Sequence, residues 1–169
     1  YKLNKNYNPT VGVGFFCKNI NFGKELIKIN FWDTSGDERY FSLIPLYFRL
    51  SHCVLLVLDI SNQKSIDNCF NWLTLVYHNK EDVIVKIFIN KTDIKEDANL
   101  SKIYEYCNIK NNVTVTLISI YNNENTKQLL NDLIKEIYPL LEISNKKIIN
   151  LIDYNDTASC RLINNNCII

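Results

Sequence analysis

The 169-residue chain has no methionine, four glycines, three prolines and no run of apolar residues long enough to cross a membrane. Neither a membrane-spanning helix nor an N-terminal signal peptide is therefore expected. With no methionine and Tyr1 in first place, the chain is expected to lack upstream residues of its translation product. The six cysteines form no C-x-x-C pair and have only two histidines for company, which argues against a zinc site and for reduced thiols in a cytosolic protein. A net charge of +1 and a pI near 7.7 give no electrostatic footprint for nucleic acid.

What is present is an ordinary globular composition, 47% hydrophobic and 22% charged, at a length that suits one domain. Asparagine (25) and isoleucine (23) are spread through every kind of segment, so Asn is a poor loop signal here. Phe15 to Phe22, a Gly23-Lys24 turn and the alternating Glu25 to Trp32 predict a β-hairpin. A glycine-bearing loop and a short irregular helix follow. His52 to Leu58 and Val83 to Ile89 are nearly continuous apolar runs, the mark of strands covered on both faces. Between them, Ser61-Asn62 can cap a helix over Ser65 to His78. A weak helix at Leu100 to Cys107, a strand at Val113 to Ile118 and an amphipathic helix over Asn125 to Leu141 complete the pattern. This alternation implies an α/β parallel sheet with helices on both faces, and the loops at the strands' carboxyl ends are the place to look for a ligand site. Residues 144–169 are polar and Asn-rich and are read as a flexible tail to a domain covering 1–143.

Two of those loops carry chemistry. Asp33-Thr34-Ser35-Gly36 follows a buried strand. The acid can hold a magnesium-bound water, and the glycine lets a backbone N–H approach phosphate without a Cβ clash. D-x-x-G alone reads as a strand-terminating turn. Asn90-Lys91-Thr92-Asp93 ends another buried strand. An Asp carboxylate accepts two hydrogen bonds from the guanine ring N–H and amine, a pattern adenine does not offer. The Asn amide can serve the other edge, and the Lys stem can cover the ring.

Taken together, YNPTVGVGFF, INFWDTSGDERY, SLIPLYFR, VLDISNQKSIDNCFNWL, FINKTD and SIYNNENTKQLL resemble the Rab branch of the Ras-like small GTPases over residues 1 to about 141. SLIPLYFR and NTKQLL look most like the Golgi-associated Rabs. The resemblance implies a doubly wound P-loop sheet with one antiparallel hairpin strand, whose first strand, phosphate loop and first helix are absent from these residues. It implies binding of GTP or GDP with Mg2+. Thr10 then resembles the first-switch threonine, Asp33 the carboxylate that holds the metal, and Gly36 the γ-phosphate sensor. Asn90, Lys91 and Asp93 resemble the guanine clamp, with Ser119 and Ile120 in the loop closing over the base. Phe15, Trp32 and Tyr47 fall at the aromatic triad through which Rabs present the switch state to effectors. Arg39 and Arg49 are read as solvated or paired.

Several residues depart from the family pattern. No G-x-x-x-x-G-K-[ST] occurs in these residues. Asp37 stands in place of the water-positioning glutamine and Ser35 in place of alanine, so hydrolysis is expected to be impaired. Leu3 replaces a phenylalanine flanking guanine, Ile120-Tyr121 replace alanine and lysine, and Gly14 replaces an acid. The segment Lys146 to Cys160 only superficially mimics a strand followed by a loop, and the alternative that a permutation uses it as the missing strand is set aside. It offers no glycine or lysine where phosphates would need them.

The expected function is a Rab-like guanine-nucleotide switch in vesicle traffic. The alternatives are a Rab-shaped pseudo-GTPase that recruits partners without cycling nucleotide, or a nonfunctional remnant. The resemblance further implies a monomer that meets effectors, an exchange factor, an activating protein and an escort protein. It would be cytoplasmic with peripheral attachment to Golgi or endosomal membranes. Cys167 lies third from the end, one place short of a C-a-a-X cysteine, so prenylation there would need the Rab escort route.

Overall fold

A computed structural model describes residues 8–94, 98–122, 126–144 and 148–155. The chain opens with the predicted hairpin, β1 (Val13–Phe22) and β2 (Glu25–Thr34), joined through Gly23 at φ +60. A left-handed residue there is what a tight turn demands and what glycine adopts without strain. Along β2, Ile27, Ile29 and Phe31 are buried at alternate positions, so one face of the hairpin belongs to the core.

After a 3-10 turn (Glu38–Leu43) come α1 (Ile44–Leu50), β3 (Cys53–Asp59), α2 (Gln63–Asn79), β4 (Ile84–Asn90), α3 (Ser101–Ile109), β5 (Val113–Leu117) and α4 (Thr126–Ser144). Every residue of β3 and of β4 is buried, as their apolar runs require of strands covered on both faces. The α2 helix is capped by Asn62, whose side-chain oxygen accepts from the Lys64 N–H at 3.1 Å. It buries Ile66, Cys69, Leu73 and Val76 against the sheet. Two apolar layers result. On one face Leu129, Leu133, Ile134 and Ile137 of α4 meet Ile29, Phe31, Leu55 and Phe88. On the other, α1, α2 and α3 cover Val54, Leu56, Val85 and Ile87.

The sheet has six strands in the order β1-β2-β6-β3-β4-β5, where β6 is Ile148–Asn155. Residues 148–155 form a strand of this sheet; residues 156–169 lie outside the described residues. β6 runs parallel to both neighbours, pairing with β2 from Lys28 to Thr34 and with β3 from Cys53 to Val57. The physical reason is backbone accounting. A sheet split between β2 and β3 would leave facing rows of N–H and C=O groups, and an extended segment satisfies both rows whatever its side chains. Of the segment Lys146 to Cys160, residues 148–155 fill this slot, and the rest lie outside the described residues.

Candidate functional site

The parallel strands all end on one edge, and their ends carry buried polar groups: Asp33 and Thr34 at the end of β2 and Ser35 just after it, Asp59 on β3, Asn90 on β4 and Ser119 after β5. At the β4–β5 end, Asn90 accepts from the Ile120 N–H at 3.2 Å through Oδ1. The Ser119 hydroxyl donates to Asp93 Oδ1 at 2.5 Å and accepts from the Asn122 N–H at 3.1 Å. Thr92 reinforces the junction by donating its hydroxyl to the Ile118 carbonyl at 2.9 Å. Asp93 is exposed and thus open to a ligand, while the serine fixes its orientation. The replacement of alanine by Ile120 does not undo this arrangement, because the contact to Asn90 is a backbone one and the isoleucine side chain is buried in the core. Tyr121 is largely exposed.

Lys91 adopts φ +66, the one left-handed non-glycine among the described residues. Its ammonium reaches Asp59 Oδ2 at 2.5 Å. Asp59 also accepts from the N–H and hydroxyl of Ser61. Burial pushes the Asp59 carboxyl upward, but the Lys91 and Ser61 hydrogen bonds outweigh it and hold it below the usual carboxylate range. Asp59 had no assigned role in the sequence reading, although it ends β3 as Asn90 ends β4. Its strand-terminal acidity was the available signal.

At the β2 end, the Thr10 hydroxyl donates to Asp33 Oδ2 at 2.7 Å, and the Gly12 carbonyl accepts from the Ser35 N–H at 2.9 Å. The first and second loops are thereby tied together. Gly14 sits across the ladder from Asp33, and a Cβ there would stand 3.6 Å from its Cβ and Oδ2. An acid at position 14 would begin beside a carboxylate. Thr10 and Asp33 form a pair of hard oxygen donors of the kind Mg2+ takes from a protein when phosphates and water complete its shell. Among the described residues no group of three His, Cys, Asp or Glu side chains gathers around a common point. Gly36 is exposed next to this pair.

Asp37 caps the 3-10 turn, accepting from the Arg39 N–H at 3.0 Å, and its carboxylate is gripped by the Arg39 guanidinium, Nη2 at 2.6 Å and Nε at 3.0 Å. The hydrogen bonds from Arg39 hold its carboxyl below the usual range. Arg39 is thus paired, as expected. The aromatic residues also come together: Phe15 and Trp32 ring centres lie 4.5 Å apart, and those of Trp32 and Tyr47 5.1 Å apart. Phe15 stays half exposed at the surface end of this row. Leu3 and Cys167 lie outside the described residues.

Residues 1–139 match the model of the Ras family. The chain belongs to that family. Its relatives place it on the Rab branch: it is 33% identical to mouse Ras-related protein Rab-31 over 138 residues, 80% of this chain and 70% of that protein. Human Ras-related protein Rab-22A is 37% identical over 90 residues, 53% of the chain and 46% of the relative. Bovine Ras-related protein Rab-8A is 35% identical over 101 residues, 59% and 49% respectively. In this Rab-branch chain Thr10, Asp33, Asn90, Lys91 and Asp93 therefore stand on the matched segment, whereas β6 lies beyond it.

Proposed function

We propose that this chain is the larger part of a Rab-like GTPase domain, a guanine-nucleotide switch in vesicle traffic. The observation that carries the reading is the junction of Asn90, Asp93, Ser119 and the Ile120 N–H, which presents an oriented carboxylate where a guanine edge would dock. GTP or GDP would be held there by its base. A bound Mg2+ would neutralise phosphate charge, with Thr10 and Asp33 as its protein oxygens. Asp37 supplies no amide donor to orient a hydrolytic water, and its carboxylate is engaged by Arg39, which supports slow hydrolysis. Effectors meeting the Phe15–Trp32–Tyr47 row, together with an exchange factor, an activating protein and an escort protein, are the partners this reading names. No described helix is long and apolar enough to cross a membrane, and peripheral attachment to Golgi or endosomal membranes through Cys167 belongs to the same proposal.

The test is nucleotide binding by the full-length protein. Guanine nucleotides should bind and adenine nucleotides should not, and Asp93→Ala should abolish the binding. A full-length protein that binds neither nucleotide, yet captures effectors through the aromatic row, would establish the pseudo-GTPase instead.

A further inference from the structure

We propose that Asp59 is the positioning residue for Lys91: from the end of β3 it anchors the lysine ammonium, so that the aliphatic stem supports the flat face of the base while Asp93 reads the base edge. The inference rests on the guanine reading above and refines it by separating face from edge.

Asp59 and Asn90 stand opposite each other in the β3–β4 ladder, each the last residue of a wholly buried strand. The Ile60 N–H donates to the Asn90 carbonyl at 3.1 Å, which fastens the chain leaving β3 to the start of the Asn90–Asp93 loop. The Asp59 carboxylate divides its two oxygens. Oδ1 accepts from the Ser61 N–H at 3.0 Å and from the Ser61 hydroxyl at 2.7 Å, which fixes the plane of the group. Oδ2 is turned to the Lys91 ammonium at 2.5 Å. The acid's side chain is 7% exposed and the lysine's 30%, so a buried anchor holds a side chain that still meets solvent.

Three residues of one loop are thus held by three different partners: Asn90 by the Ile120 N–H, Asp93 by the Ser119 hydroxyl and Lys91 by Asp59. Lys91 has particular need of its own. At φ +66 it occupies a conformation that a lysine keeps only where its surroundings fix it. Its long side chain also loses much rotamer freedom on ordering, and an ammonium left in water would let the stem swing. The ion pair at the far end answers both. It further balances the lysine's charge, so that what remains for a ligand is a row of methylenes, suited to the face of an uncharged ring. The Asp59–Lys91–Ser61 contacts include neither Asp93 nor Ser119, so support of the face is mechanically distinct from reading of the edge.

The experiment follows release of fluorescently labelled GDP and inosine diphosphate from the full-length protein with Mg2+ present. Inosine diphosphate lacks the exocyclic amine that Asp93 would read but offers the same kind of ring face. Wild type should therefore hold GDP longer. Asp59→Asn should release both nucleotides about tenfold faster and leave the ratio between them unchanged. Ser61→Ala keeps the ion pair and loosens its orientation, and should speed both releases by about threefold. Lys91→Met keeps an apolar stem without the ammonium; in that background Asp59→Asn should alter release by less than about twofold. Unchanged release in Asp59→Asn, or in Ser61→Ala should the first variant fail to fold, would overturn the inference. So would a full effect of Asp59→Asn in the Lys91→Met background, which would mean that the acid acts on the fold and not through the lysine. A collapsed ratio between the two nucleotides in Asp59→Asn would place the acid with the edge and overturn it too. All three results leave the guanine reading intact. A wild type that holds the two nucleotides equally, or binds neither, would overturn both.

Discussion

Asp93 is an exposed acid whose orientation depends on one hydroxyl. A hydrogen bond to a charged acceptor contributes about 1.5–3 kcal/mol, so Ser119→Ala should cost about tenfold or more in affinity for guanine ligands, measured by titration, with little change in melting temperature. Asp59 makes the complementary case for stability. Its folded-state carboxyl titrates below the ordinary value of about 3.9, so its contribution is complete at neutral pH and disappears as pH falls through the folded value. Asp59→Asn should therefore be about 2 kcal/mol less stable than wild type at pH 7 in denaturant titrations, and the gap should narrow progressively as pH falls below the ordinary carboxylate value. A gap that is unchanged between pH 7 and pH 2 would rule out the linkage. Asp37 is read through rate alone: in the full-length protein Asp37→Gln should hydrolyse GTP faster in single-turnover assays. Equal or slower hydrolysis in the variant would refute the role given to Asp37.

Among the elements, the hairpin, the two buried strands and the long helices were legible in the sequence because each states its environment in its pattern. Ile27, Ile29 and Phe31 stand at alternate positions, CVLLVL is apolar throughout and IVKIFI apolar but for Lys86, and α4 repeats Leu129, Leu133, Ile134 and Ile137 along one stripe. The segment IINLIDYN gives no such statement. Asn150 and Asp153 interrupt it, in a chain where Asn appears everywhere, and its place depends on pairing partners more than 90 residues away. The clamp was legible because its residues are contiguous; the roles of Ser119 toward Asp93 and of Lys91 toward Asp59 join separate loops and needed the fold. If β6 is a full member of the sheet, Ile152→Pro removes a ladder donor between two partners and should lower the cooperative unfolding midpoint sharply. An unchanged midpoint would return the segment to the tail. Lys86 is the other oddity, a lysine inside a wholly buried strand, paired with Glu136 of α4. Removing the acid leaves a buried ammonium unpaired, whereas removing the lysine leaves a glutamate whose side chain is 39% exposed and can turn to water. Glu136→Gln should therefore destabilise by about 3 kcal/mol, and Lys86→Met by clearly less, in paired denaturant titrations.

Across the whole molecule, the two apolar layers also govern thiol chemistry. Burial pushes the Cys53 and Cys107 thiols up, and that of Cys69 up to about 12, so none of the three is a ready nucleophile. Cys17 is exposed on β1. A maleimide pulse on the native protein should label Cys17 while Cys53 and Cys69 react only on unfolding, as peptide mass mapping would show. The sheet order carries a further consequence, in the time domain. The central strand is the last described element to leave the ribosome, so the hairpin and the β3-β4-β5 unit must wait, each with an open edge, until residue 155 has emerged. Joining them requires closing loops that span most of the chain, a topology that folds slowly and exposes strand edges meanwhile. Refolding should therefore show an early phase that forms helices and an edge-exposed intermediate. A late phase should follow in which the amides of β2, β3 and β6 gain protection together, and nascent chains stopped short of residue 148 should depend on chaperones to stay in solution.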